Sequence, residues 1–142
     1  MDLNKLSDRG VFLVNSLAIL YNPKLKKILI GKRVNDPFIK ELSWCFPGGR
    51  PDYKNSLEGC LLDEIKKKTS ISKVKVENLF LFARTAEENK QFLLLYYFCT
   101  TSEVKAVAGE KFVEVKWVKP AEVRKFFTTS IHPKVLKFLK TL

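Results

Sequence analysis

Histidine occurs once in this 142-residue chain, at His132, and cysteine three times, at Cys45, Cys60 and Cys99, with no C-x-x-C spacing. An odd and scattered cysteine count supplies neither a disulfide framework nor a zinc-ligand set, so reduced thiols and a cytoplasmic setting are expected. No apolar run approaches the roughly 18 residues that a membrane span needs, and Asp2 and Asp8 interrupt any signal-peptide pattern. Acidic residues are in short supply: 15 Asp and Glu face 26 Lys and Arg, a net charge of +11. Such a surface attracts polyanions, nucleotides foremost. The lysines are spread along the chain rather than gathered in one tract, which disfavours a dedicated nucleic-acid role and suits solubility equally well. Repeats, linkers and low-complexity tracts are missing too. With 46% apolar and 12% aromatic residues, the chain reads as one globular domain over residues 1–142, with nothing to fix its oligomeric state.

What is present alternates between strand and helix patterns. Val11 to Tyr21 and Lys27 to Lys32 are apolar, β-branched runs parted by Asn22-Pro23, which reads as a strand pair. Asn35 to Leu42 contains Pro37 and reads as a loop bordering a ligand. Val74 to Ala86 and Gln91 to Thr101 form a second hairpin, with Glu87 and Glu88 at its solvated tip. Phe92 to Cys99 lacks polar alternation, as a central strand covered on both faces would. Val113 to Val118 reads as a further strand, and Pro120 opens a short helix running to about Phe127. A last helix carries Val135, Leu136, Leu139 and Leu142 behind Pro133, with His132 as its cap rather than a catalytic base. This order predicts an α/β fold, an α/β/α sandwich around a mixed β-sheet.

The most informative stretch runs from Pro47 to Ile71. Pro47-Gly48-Gly49 suits a sharp turn with bare backbone, open to a close ligand. Asn55 then reads as an N-cap with Glu58 completing a variant capping box, and Leu57, Leu61 and Ile65 recur at spacing four, predicting a helix from about Ser56 to Thr69. Helical projection brings Cys60 onto the same apolar arc and places Glu64 and Lys68 inside it. Ionisable groups there must pair, reach water at the helix end, or face a cavity. Two i, i+4 pairs are available, Asp63 with Lys67 and Glu64 with Lys68. Cys45 stands beside the turn, either as an exposed thiol or as a buried and inert one, and Trp44 or Phe46 is placed either to stack on a base or to pack beneath the turn.

This stretch resembles the box of the Nudix, or MutT-like, hydrolase family: Gly, five residues, Glu, seven residues, then Arg-Glu-apolar-x-Glu-Glu-x-Gly-apolar. Gly49, Glu64, Ile65 and Ile71 hold their positions. Five polar positions depart: Asn55 for the first Glu, Asp63 for Arg, Lys67 and Lys68 for the Glu-Glu pair, and Ser70 for the last Gly. Ile28 to Arg33, Trp44 to Gly49 and Glu114 to Trp117 look like flanking strands of the same family.

The resemblance implies a Nudix fold and hydrolysis of a nucleoside diphosphate linked to another moiety, with box glutamates holding Mg²⁺ or Mn²⁺ on the pyrophosphate. Two such carboxylates about 5 Å apart repel by roughly 3 kcal/mol at an effective dielectric near 20, so the family's cluster needs a cation. Here two of those positions are lysines. It follows that metal would be weakly held without substrate, with Glu64 as the remaining catalytic and metal-binding carboxylate and Glu110 as a candidate second ligand. Gly48, Gly49, Arg33, Lys67 and Lys68 are the candidate substrate-binding residues, the lysines as phosphate-gripping point charges. The alternative is a binding module on the same fold, holding a nucleotide, another phosphate-bearing ligand or RNA without turning it over. Enzyme status stays open between the two.

Overall fold

The structure, a computed structural model, describes residues 11–34, 43–85, 90–129 and 131–142. The expected loop from Asn35 to Leu42 and the tip residues Glu87 and Glu88 lie outside them.

The apolar runs become strands β1 (Val11–Asn22), β2 (Lys27–Arg33), β5 (Lys75–Thr85), β6 (Lys90–Thr100) and β7 (Phe112–Val118), with two-residue strands β3 (Trp44–Cys45) and β4 (Gly48–Gly49) at the glycine turn. They form one mixed sheet in the order β3-β2-β1-β6-β5, with β4 paired to β1 and β7 to β2. β1 runs parallel to β6 from Val11↔Lys90 to Tyr21↔Thr100. Its pairings with β2 and β4 are antiparallel, as is that of β5 with β6. β6 therefore lies inside the sheet, as its unbroken apolar run requires.

Helices cover both faces. α1 (Leu57–Thr69) packs on one of them, where Leu61 and Ile65 join Ala18, Leu20, Leu29, Leu95 and Cys99. On the other, a 3-10 turn (Pro120–Glu122), α2 (Val123–Phe126) and α3 (Pro133–Leu139) set Val123, Val135 and Leu139 against Ile19, Ile28, Ile30 and Phe46. Alternate residues of β1 and β2 supply the two cores, a direct result of the two-residue period of a strand. The result is the expected α/β/α sandwich. Among the described residues no helix is long and apolar enough to cross a membrane.

The ends of α1 differ from expectation. The N-cap is Ser56, whose Oγ accepts from the Gly59 amide at 3.0 Å, and Asn55 turns its Oδ1 to the Ser56 amide at 2.8 Å. This one-residue shift dissolves the capping box and leaves Glu58 to favour the helix N-terminus by charge alone. It also leaves Leu57 on the first exposed turn, 48% accessible, so the buried stripe begins at Cys60 and Leu61. At the other end, Ser70 takes the left-handed conformation (φ 65°, ψ 6°) with its amide bonded to Lys66 O. A glycine occupies this place in the box because a side chain there is strained. His132 caps α3 as expected, its Nδ1 accepting from the Lys134 amide at 3.1 Å.

Ser70→Gly should therefore raise stability by about 1 kcal/mol by releasing the left-handed strain. The Ser70 Oγ contact to Val107 O, at 3.3 Å and exposed, offsets little of that gain. Urea denaturation checks it.

Candidate functional site

The glycine turn is wedged between β1 and α1. Pro47 O accepts from the Ala18 amide at 2.8 Å, and Gly48 and Gly49 pair with Leu17 and Ser16. A Cβ on Gly48 would stand 2.0 Å from the carbonyl oxygen of Ser16, a backbone atom that cannot yield. One on Gly49 would lie 3.0 Å from the Glu64 carboxyl group. Both glycines let the turn approach its neighbours closely, and the second brings bare backbone against Glu64.

Lys68 closes the arrangement. Its side chain is on the buried arc, the residue only 6% exposed, and its Nζ donates to Gly48 O and lies 3.2 Å from Glu64 Oε2. The Phe112 ring stands over the ammonium with its centroid at 5.8 Å. Burying an ammonium is tolerable only when its charge is met, and here a carboxylate, a carbonyl and an aromatic face meet it. Glu64 keeps a quarter of its side chain exposed. The predicted Glu64–Lys68 pair is thus formed.

The remaining candidates separate. Lys67 and Asp63 are exposed and, among the described residues, form no ion pair with each other, so the second predicted pair is not made. Adjacent helix positions point about 100° apart, which turns Lys67 outward once Lys68 turns inward. The loop after β6 is strapped to the end of α1 by Gly109 N to Lys68 O (3.0 Å) and Val107 N to Thr69 O (2.9 Å). Glu110 follows this strap, exposed and at φ 50°, and no cluster of three metal-ligating side chains occurs among the described residues. Arg33 is half-buried at the end of β2, where its amide donates to Ser43 O at 2.6 Å.

The donor set does not fit a protein-held divalent cation. The carboxylate and the carbonyl facing each other across the turn are already joined by an ammonium, which carries no lone pair to offer. Lys68 is likewise committed inward rather than presented to a ligand phosphate, contrary to the expectation that both lysines grip phosphate.

The aromatic residues of the turn pack against other rings. Phe46 is 3% exposed and packs edge-on with Tyr96 and Phe127, and Trp44 packs edge-on with Phe126 at 5.4 Å. Base stacking by Phe46 is excluded by that burial. Cys45 is half-buried, and Cys60 and Cys99 are buried. Burial, with smaller effects from Glu58 and Glu77, pushes the Cys99 thiol up to about 12, so it stays protonated.

Two residues beside the site escaped the sequence reading. Ser16 is 1% exposed and its Oγ has no hydrogen-bond partner among the described residues. It faces Gly49 across the strand pair, on the side where Glu64 sits. A serine inside the apolar β1 run was the available signal. Phe112 had none, because its approach to Lys68 depends on β7 pairing with β2.

Residues 11–139 match the NUDIX domain. The chain belongs to that family. No curated protein matches it. Among solved structures, the NUDIX domain of Shewanella oneidensis NrtR complexed with ADP ribose aligns with a TM-score of 0.76 at 21% identity, over 99% of this chain and 97% of that one. A MutT protein from Methanosarcina mazei Go1 gives 0.75 at 15% identity, over 93% and 95%. A C. elegans Ap4A hydrolase in a binary complex gives 0.71 at 13%, over 90% and 93%. At these identities the likeness is one of fold.

Lys68→Met should destabilise the protein by about 3 kcal/mol, because Gly48 O and Glu64 lose their shared donor in a buried setting. Lys67→Met should change stability by less than about 0.5 kcal/mol. Paired urea denaturation curves separate the two.

Proposed function

We propose that this NUDIX domain binds a phosphate-bearing nucleotide derivative beside the Gly48–Gly49 turn and holds it without turnover, with a built-in ammonium in place of a protein-held metal. The observation carrying this is Lys68 Nζ, bonded to Gly48 O and Glu64 Oε2 and sealed from solvent. It neutralises the carboxylate that would otherwise repel a diphosphate, and it does so at all times rather than when a cation happens to be bound. Lys67, outward on the same helix, supplies charge that a ligand can reach, and the half-buried Arg33 adds positive potential at the end of β2. The ligand class is supported by relatives of the same fold, one bound to ADP ribose and another an Ap4A hydrolase.

A second reading, slow hydrolysis of the bound diphosphate, rests on Glu64. Its partly exposed carboxylate sits against bare backbone at the turn and is the one box glutamate that remains. Loss of single stabilising groups lowers turnover by about a hundred- to a thousandfold rather than to nothing, so residual activity with Mg²⁺ or Mn²⁺ is compatible with this site.

Thermal-shift and phosphate-release measurements on ADP ribose and Ap4A, with Mg²⁺ or with chelator, test the proposal. Ligand stabilisation should persist in chelator, and Lys67→Glu should weaken it. Lys67→Glu combined with Lys68→Glu should create a metal-dependent thermal shift absent from the wild type. Rapid wild-type hydrolysis saturating at micromolar Mg²⁺ without ligand would overturn the metal-free site. Turnover lost in Glu64→Gln would establish the second reading.

A further inference from the structure

At the far end of β1 from the glycine turn, three chain segments line an open surface depression of about 550 Å³. They are the turn after β1, the lead-in to β5 and the end of β6. Lys24, Lys73 and Lys75 line it together with the hydroxyl-bearing Thr100, Thr101 and Ser102. No carboxylate and no aromatic ring is in its lining. The strand register sets Gly48 opposite Leu17, and Asn22 lies five residues on, so roughly 17 Å of strand separates this depression from the Gly48–Gly49 turn.

The walls are tied together from beneath. Asn22, fully buried, accepts from the amides of Lys24 (2.9 Å) and Leu25 (3.1 Å) and donates to Glu103 O (2.9 Å). Thr101, 5% exposed, donates to Lys73 O at 2.7 Å and accepts from the Glu103 amide at 3.1 Å. Two carboxylates adjoin the lining and hold some of its residues. Glu103 Oε2 accepts from the amides of Ser72 and Lys73, both at 2.8 Å, and Glu77 meets Lys75 at 3.6 Å and the Thr100 hydroxyl at 3.2 Å. Lys24 and Lys73 make no ion pair among the described residues.

We propose that this depression is a second ligand site, separate from the glycine turn, that takes the phosphates of a linear polyanion. Ammonium groups at the rim meet phosphate charge, and the Ser102 hydroxyl can donate to a phosphate oxygen, the Thr100 and Thr101 hydroxyls being spent on Glu77 and Lys73 O. The buried asparagine and threonine hold the lysine-bearing segments in place before a ligand arrives, which lowers the ordering cost of binding. With no aromatic wall, the site reads phosphate rather than base. Free polyphosphate and the backbone of a single-stranded nucleic acid share that chemistry.

The test is a titration of the full chain with inorganic tripolyphosphate, followed by amide chemical shifts. Shifts should centre on Lys24, Lys73 and Thr101, and the affinity there should drop about tenfold in Lys24→Glu with Lys73→Glu, two changes at the surface. Competition at the same amides by a single-stranded oligoribonucleotide would assign the phosphates to a nucleic-acid backbone, and lack of competition to a small polyphosphate. Shifts confined to Gly48 and Gly49, or an unaltered affinity in the double variant, would overturn the second site without touching the proposal for the first.

Discussion

An ammonium held between a backbone carbonyl and a carboxylate joins the glycine turn to helix α1. Lys68 reaches Gly48 O from the helix and Glu64 from the turn before it, with Phe112 of β7 over the top. Three elements distant in sequence meet on one nitrogen. The arrangement depends on the turn lying close enough to accept it, and that closeness depends on Gly48, since any side chain there would run into Ser16 O. A buried charge cannot be left half-satisfied, so turn, helix and strand must move together or not at all.

The substitutions in the box make sense as a set around that contact. Where the family pattern gathers negative charge and needs a cation, this helix brings its own positive charge on the same face, four residues after the glutamate. Position 67 points outward and keeps its charge in water. Position 70 tolerates Ser at a conformational cost, because the strap from Val107 and Gly109 holds the end of the helix whatever residue caps it. Lys68 thus meets the Glu64 carboxylate and the Gly48 carbonyl with N–H groups, which donate and have no lone pair to offer.

Much of this was legible in the linear chain. The apolar runs from Val11 and Lys27, the unbroken run from Phe92 to Cys99 and the Pro-initiated helix at Pro133 each carry a local period or breaker that survives in the fold. The Glu64–Lys68 pair was visible because four residues is a fixed angle on a helix. Less legible were the cap, which slipped from Asn55 to Ser56, and the stripe, which lost Leu57 to solvent; both turn on competition among adjacent polar side chains for the same amides.

By itself, then, the sequence determined the mixed sandwich, the glycine turn, the sign of the surface charge and the pairing of two groups on one helix, because all of these follow from composition or from periods of two and 3.6 residues. Only the tertiary structure decided that Lys68 is sealed against Gly48 O while Lys67 stays in water, that Phe112 covers the pair, and that buried Asn22 and Thr101 gather two lysine-bearing segments and the end of β6 around one depression. Those outcomes rest on contacts between distant segments, such as Asn22 with Glu103, 81 residues apart, and no local period encodes such a separation.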